Sequence, residues 1–183
     1  REFVEQVREV APNASDLPVI YSESGKEVVK AFQQATTYAI IAISLISLIV
    51  LGNIRETCLV LMPLFLTAIL TGASTVIFDN PFNFANIIVL PLLLGLGVDS
   101  SIHIVHRLRL MQYKQSEILK TSTARGIFFS GLTTVFSFTS LAFISHAGTA
   151  SLGLLLTIGI LLTLICTLVV LPAFAVKPEA SFP

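Results

Sequence analysis

From Gly126 to Val176 the chain runs for 51 residues without a Lys, Arg, Asp or Glu. A membrane-crossing helix needs about 20 predominantly apolar residues, so this run has room for two spans. Two further charge-free runs precede it, 24 residues between Lys30 and Arg55 and 22 between Glu56 and Asp79. A fifth apolar stretch, "LPLLLGLGVDSSIHIVHRLR" at 90–109, is interrupted by one acid, Asp99. Only 12% of residues are charged and 54% are hydrophobic. Soluble domains carry roughly 25% charge. The sequence therefore predicts an integral membrane protein, an all-α bundle of five transmembrane helices. Its net charge of zero gives no sign of a nucleic-acid partner, and none is expected.

The charges are segregated as well as few. Ten of the 22 lie in the first 30 residues. "REFVEQVREV" has its apolar residues at helical spacing, "LPVIY" suggests a short strand, and "SESGKEVVKAFQQATTYAII" reads as a helix entering the first span. Residues 1–32 are expected to be the short α/β end of a larger extramembrane domain, because so short a piece cannot bury a core of its own. Residues 33–176 form the transmembrane domain, with spans at about 33–52, 57–77, 83–106, 127–145 and 150–174. Residues 177–183 form a tail, and an amphipathic segment over 112–125 is expected to lie on the membrane surface. The polar opening carries no secretory signal, and a membrane protein beginning this way reads as part of a longer chain.

Lys and Arg near span ends mark the cytoplasmic side. Arg55 sits in the first connection, and Arg107, Arg109, Lys114, Lys120 and Arg125 in the third; the second and fourth carry only Asp79 and His146. That alternation places the N-terminal piece outside the cytoplasm and the C-terminus inside.

An Asp within a span costs roughly 3 kcal/mol on insertion scales, so such groups face a bundle interior, a partner or a water path. With both its charged and neutral forms accessible, an acid at such a place can load and release a proton. His103 and His106 stand four and seven positions on, which puts all three on one helical face. Ser100 and Ser101 add hydroxyls, and the next span carries Ser130, Thr133, Thr134, Ser137 and Ser140 along one edge. This stripe is either ordinary helix packing or the polar neighbour of the acid. The candidates are thus Asp99 as the proton-carrying acid, with Ser100, His103, Ser130, Thr133, Thr134 and Ser137 as its partners. No catalytic and no metal residues are expected. "GLGVDS" lacks the strand and third glycine of a dinucleotide loop, and Cys58 and Cys166 are expected to be small packing residues.

Long, ordered motifs resemble a known family: "NFANIIVLPLLLGLGVDSSIHIVHRLR", "GLTT…SF…LA", "GTASLGLLLTIG" and "VLPAF". They are similar to the membrane region of the resistance-nodulation-division superfamily, in particular the MMPL branch with its hopanoid and other lipid transporters. The resemblance implies one half of a two-half transporter, the C-terminal half being the better match, in which proton influx drives export of a lipid or hydrophobic cargo. It further implies that Asp99 is the proton-relay acid, with protons as coupling ion and no cofactor. Many relatives place Tyr directly after this Asp, whereas Ser100 stands here, which leaves the second relay member open. The implied partners are membrane lipids, a hydrophobic substrate, the other half of the transporter and a homo-oligomeric copy, at a bacterial inner membrane. The same fold also occurs as a sterol-sensing-like regulatory or scaffold module that binds lipid without transport.

Overall fold

A computed structural model describes residues 17–112 and 115–175. Five long helices carry the architecture: α1 (Leu17–Leu51), α2 (Ile54–Ile77), α3 (Val89–Leu110), α4 (Ser122–Leu141) and α5 (Ala147–Ile165). A π-helical turn, Cys166–Val170, continues α5 into the short α6 (Leu171–Phe174). Among the described residues there is no strand. The expected strand at 17–21 is instead the first turn of α1. Pro18 suits a helix start, where its missing N–H has no partner to lose. Once a long helix is nucleated, adding a turn is cheap enough to override the β-preference of Val19 and Ile20. The amphipathic helix expected over the first ten residues and the tail from 177 lie outside the described residues.

Among the described residues, four helices are long and apolar enough to cross a membrane: Glu27–Leu51, Ile54–Ile77, Val89–Leu110 and the joined Ala147–Phe174. The fifth, α4, has 20 residues, but Arg125 and its many Ser and Thr leave it less apolar. At 1.5 Å per residue the 35-residue α1 is about 52 Å long, well beyond a hydrocarbon core of about 30 Å.

The ends of the helices follow from local chemistry. Gly52, at φ 64°, adopts the left-handed conformation that closes α1, and its N–H bonds to Leu48 O at 2.8 Å. Asn53 then caps α2, its Oδ1 accepting from Arg55 N at 2.9 Å. Thr121 caps α4 and His146 caps α5, through Ala124 N and Thr149 N respectively. The segment expected as one surface helix over 112–125 is divided. Gln115–Lys120 is a 3-10 turn, and α4 begins at Ser122. Ile118 in that turn is buried in the core while Leu119 is exposed. One apolar side chain thus anchors the connection to the bundle.

Packing relies on small residues against branched ones, as helices in an apolar medium require. Gly97 of α3 lies under Leu64 of α2 and Thr163 of α5, Gly159 lies under Leu93, and Gly131 of α4 lies under Leu164. Val60, Leu64, Leu94, Ile104, Leu108 and Leu171 form one buried cluster; Val89, Leu93, Leu155, Leu156 and Ile160 form another. Cys166 is buried as expected, whereas Cys58 is exposed on the outer surface of α2. At the far end of α3, Arg109 Nη1 donates to Leu51 O at 3.2 Å and lies 3.5 Å from Oε2 of the buried Glu56. Those contacts join the ends of α1, α2 and α3.

The connection between α2 and α3 is held by asparagines. Asn83 Nδ2 and Asn86 Nδ2 donate to Ser151 Oγ at 2.9 and 2.8 Å. Ser151 Oγ in turn donates to Asn80 Oδ1, and Asn80 Nδ2 donates to Ser151 O at 3.2 Å. Asn86 is fully buried. Ser151→Ala removes the acceptor for two amides and the donor for a third, leaving the buried Asn86 amide with its bond to Pro81 O at 3.1 Å alone. The expected loss is about 2 kcal/mol, read as a lower thermal midpoint in detergent; an unchanged midpoint would show that water replaces the hydroxyl.

Candidate functional site

Asp99 stands ten residues from Val89 and eleven from Leu110, at the centre of α3. The sequence places it slightly towards one end of a span at 83–106. The observed helix starts and finishes later because Asn83 and Asn86 hold the preceding residues in the connection. Asp99 is about 15 Å from either helix end.

Around it three helices form a cleft of about 220 Å³. Gly95, Leu96, Asp99 and Ser100 supply the α3 wall; Ser130, Gly131 and Thr134 supply α4; Ile160, Thr163 and Leu164 supply α5. Each wall repeats the three- and four-residue spacing of one helical face. Gly95 and Gly131 leave room for the cleft, since neither carries a side chain into it. Of the expected hydroxyl partners, Ser100, Ser130 and Thr134 therefore meet on one cavity with the acid. Thr133 and Ser137 do not line it. They are exposed, and their hydroxyls donate to Phe129 O and Thr133 O, each at 2.9 Å.

Thr134 also spends its proton on its own helix, donating to Ser130 O at 2.9 Å. Its oxygen can then only accept. It suits a water or a protonated acid, and offers nothing to a bare carboxylate. His103 is closer: its Nε2 lies 3.3 Å from Asp99 Oδ1. The Asp99 and His103 side chains are 80% and 61% exposed, so this face of α3 is open in the five-helix unit. The opposite face is closed. There Ser101 is fully buried, its hydroxyl 3.4 Å from that of Thr167 in the π-helical turn. A π turn is wider than an α turn and re-aims its side chains, which brings Thr167 onto α3.

Thr163 and the α5 wall are absent from the sequence-based candidates. In a span as uniformly apolar as "LLLTIGILLTLICTLVV" only the Thr163/Thr167 spacing signals a polar face. The buried Glu56 is likewise missed, because beside Arg55 it reads as an ordinary connection charge.

Four long apolar helices, with a carboxyl–imidazole pair on the open face of α3 and a hydroxyl-lined cleft beside it, define a multi-pass helical membrane protein. The chain belongs to the MMPL family, which matches residues 19–177, within the resistance-nodulation-division superfamily. It is 40% identical over 179 residues to hopanoid transporter HpnN of Rhodopseudomonas palustris (strain TIE-1), covering 98% of this chain and 20% of that protein. To hopanoid transporter HpnN of Burkholderia multivorans it is 34% identical over 181 residues, covering 99% and 20%. A putative membrane protein of Methanocaldococcus jannaschii is 29% identical over 162 residues, covering 84% of this chain and 41% of that one. The chain spans about a fifth of the length of the hopanoid transporters it matches.

Proposed function

We propose that this chain is the membrane half-domain of a proton-driven transporter that exports lipid or other hydrophobic cargo, with Asp99 as the acid that takes up and releases the coupling proton. The observation that carries this reading is a carboxyl group at the centre of α3, beside a hydroxyl-lined cleft large enough for water. The relatives bearing the name hopanoid transporter support a polycyclic lipid as cargo. Protonation removes a charge from the middle of α3 and changes what that helix can pack against. The half-buried cleft and the open Asp99 face would meet the other half of the transporter. No covalent step is needed, so the chain acts as a transporter and not as an enzyme.

The basic connections after α1 and α3 belong at the cytoplasmic surface of a bacterial inner membrane. Residues 1–32 then belong to the extracytoplasmic domain, 33–176 to the membrane domain and 177–183 to a cytoplasmic tail. The length of α1 supports a rigid link between the first two. Membrane lipids surround the bundle, and a second copy of the transporter is compatible with its broad apolar surface.

Full-length protein in vesicles loaded with a labelled polycyclic lipid tests the reading. Lipid release to an acceptor should rise with an imposed pH gradient and fall to background when a proton carrier collapses it. Lipid binding with release indifferent to the gradient would instead make the domain a lipid-binding regulatory module.

A further inference from the structure

We infer that His103 is the immediate proton partner of Asp99, so that the pair, rather than the acid with the α4 hydroxyls, is the unit that loads and unloads; this rests on the proton-driven reading of Asp99. His103 Nε2 is 3.3 Å from Asp99 Oδ1, and no other described residue makes an ion pair or hydrogen bond with this carboxyl. The cleft side offers less. Thr134 has donated its proton to Ser130 O, and the remaining α4 and α5 walls are Ser130, Gly131, Ile160, Thr163 and Leu164, none of them titratable. The other titratable or charged groups on this side of α3 are His106, one turn on, and then Arg107. An imidazole is suited to the task because it can accept a proton on one nitrogen and release it from the other near neutral pH.

The transfer is simple to balance. The carboxylic O–H of Asp99 breaks, an N–H forms at His103 Nε2, and the proton on Nδ1 leaves towards the basic end of α3. Asp99 is left as carboxylate beside an imidazole whose tautomer has switched. A new proton taken up by Asp99, together with return of the ring to its starting tautomer, restores the starting state. Helical spacing fixes the pair, since residues four apart lie one above the other. Both members are on the open face of α3, so water or a facing helix can reach them.

The experiment compares full-length wild type, D99N and H103Q in vesicles, measuring lipid release against pH under a fixed gradient. Gln preserves a donor at about the imidazole's reach but cannot exchange a proton. H103Q should bind lipid normally and lose about 100-fold in gradient-driven release, the lower end of what a positioned proton-transfer group supplies. The ratio of H103Q to wild-type release should vary with pH, as it would not if His103 were merely structural. Wild-type rate and profile in H103Q, with D99N inactive, would overturn the role of His103 and leave Asp99 standing. Full activity in both variants would overturn the underlying reading too. Infrared difference spectra of the wild type need no variant: protonating Asp99 should perturb the imidazole bands as well as the carboxyl band, and carboxyl changes with no imidazole response would overturn the pairing.

Discussion

Asp99→Asn in the full-length protein should reduce gradient-driven lipid release by about 100-fold or more, while the amount of folded protein in the membrane stays the same. Asn has nearly the volume of Asp and can still face His103 and the cleft, so neither packing nor polarity is lost. What disappears is the ability to change charge. Proton-transfer groups contribute about 100- to 10,000-fold where they act, and no second carboxyl lines this cleft to take over. Stability should if anything improve, because a neutral amide costs less than a carboxylate at the centre of a membrane helix. Lipid binding without a gradient is the control and should be unchanged. Release at the wild-type rate would remove Asp99 from the transport cycle, and lost binding would assign it to cargo instead. Asp99→Glu keeps the acid but lengthens it by one methylene, and should retain part of the activity.

That the acid was legible while its surroundings were only partly so has a physical explanation. A lone carboxyl in an apolar run is conspicuous because its cost demands a reason. The i, i+4 spacing to His103 follows directly from helix geometry, and the structure adds the 3.3 Å contact. Hydroxyls are ambiguous by comparison, since each can satisfy its own backbone. Thr133 and Ser137 do so on the outer surface of α4, while Ser130 and Thr134 of the same stripe reach the cleft. Only the rotation of α4 against α5 decides between them, and that rotation is set by Gly131 seating Leu164. Boundaries were blurred for a similar reason. Apolarity marks the part of a helix that suits lipid, whereas α1 extends to Leu17 through polar residues, and α3 starts at Val89 because an asparagine network holds the chain before it. The strand expected at 17–21 shows the limit of short propensity signals beside a long helix.

The end of α4 closes tightly on α5 at Gly153, and Gly153→Ala should show it. A Cβ at Gly153 would lie 2.6 Å from Leu141 Cβ, 2.7 Å from Ala142 N and 2.9 Å from the Leu141 carbonyl carbon. Two of these are backbone atoms at the end of α4, so relief requires moving the helix and not turning a side chain. Overpacking of this kind costs about 1–3 kcal/mol, and the expected loss here is at the upper end, about 3 kcal/mol. It outweighs the gain of at most about 1 kcal/mol from replacing a helical Gly by Ala. Gly97→Ala should cost less, about 1 kcal/mol, because its nearest contact would be a terminal methyl of Leu64, and no backbone atom is in the way. Gly126→Ala, with nothing within 4 Å, should be neutral or slightly stabilising. Thermal midpoints of the three variants in detergent should therefore fall in the order Gly126→Ala, Gly97→Ala, Gly153→Ala. Equal midpoints would mean that α4 is not seated on α5 through Gly153. Because α4 carries Ser130 and Thr134, displacing it also opens the cleft at Asp99. A Gly153→Ala protein that remains folded should thus lose gradient-driven release as well as stability, although residue 153 is not among those that line the cleft.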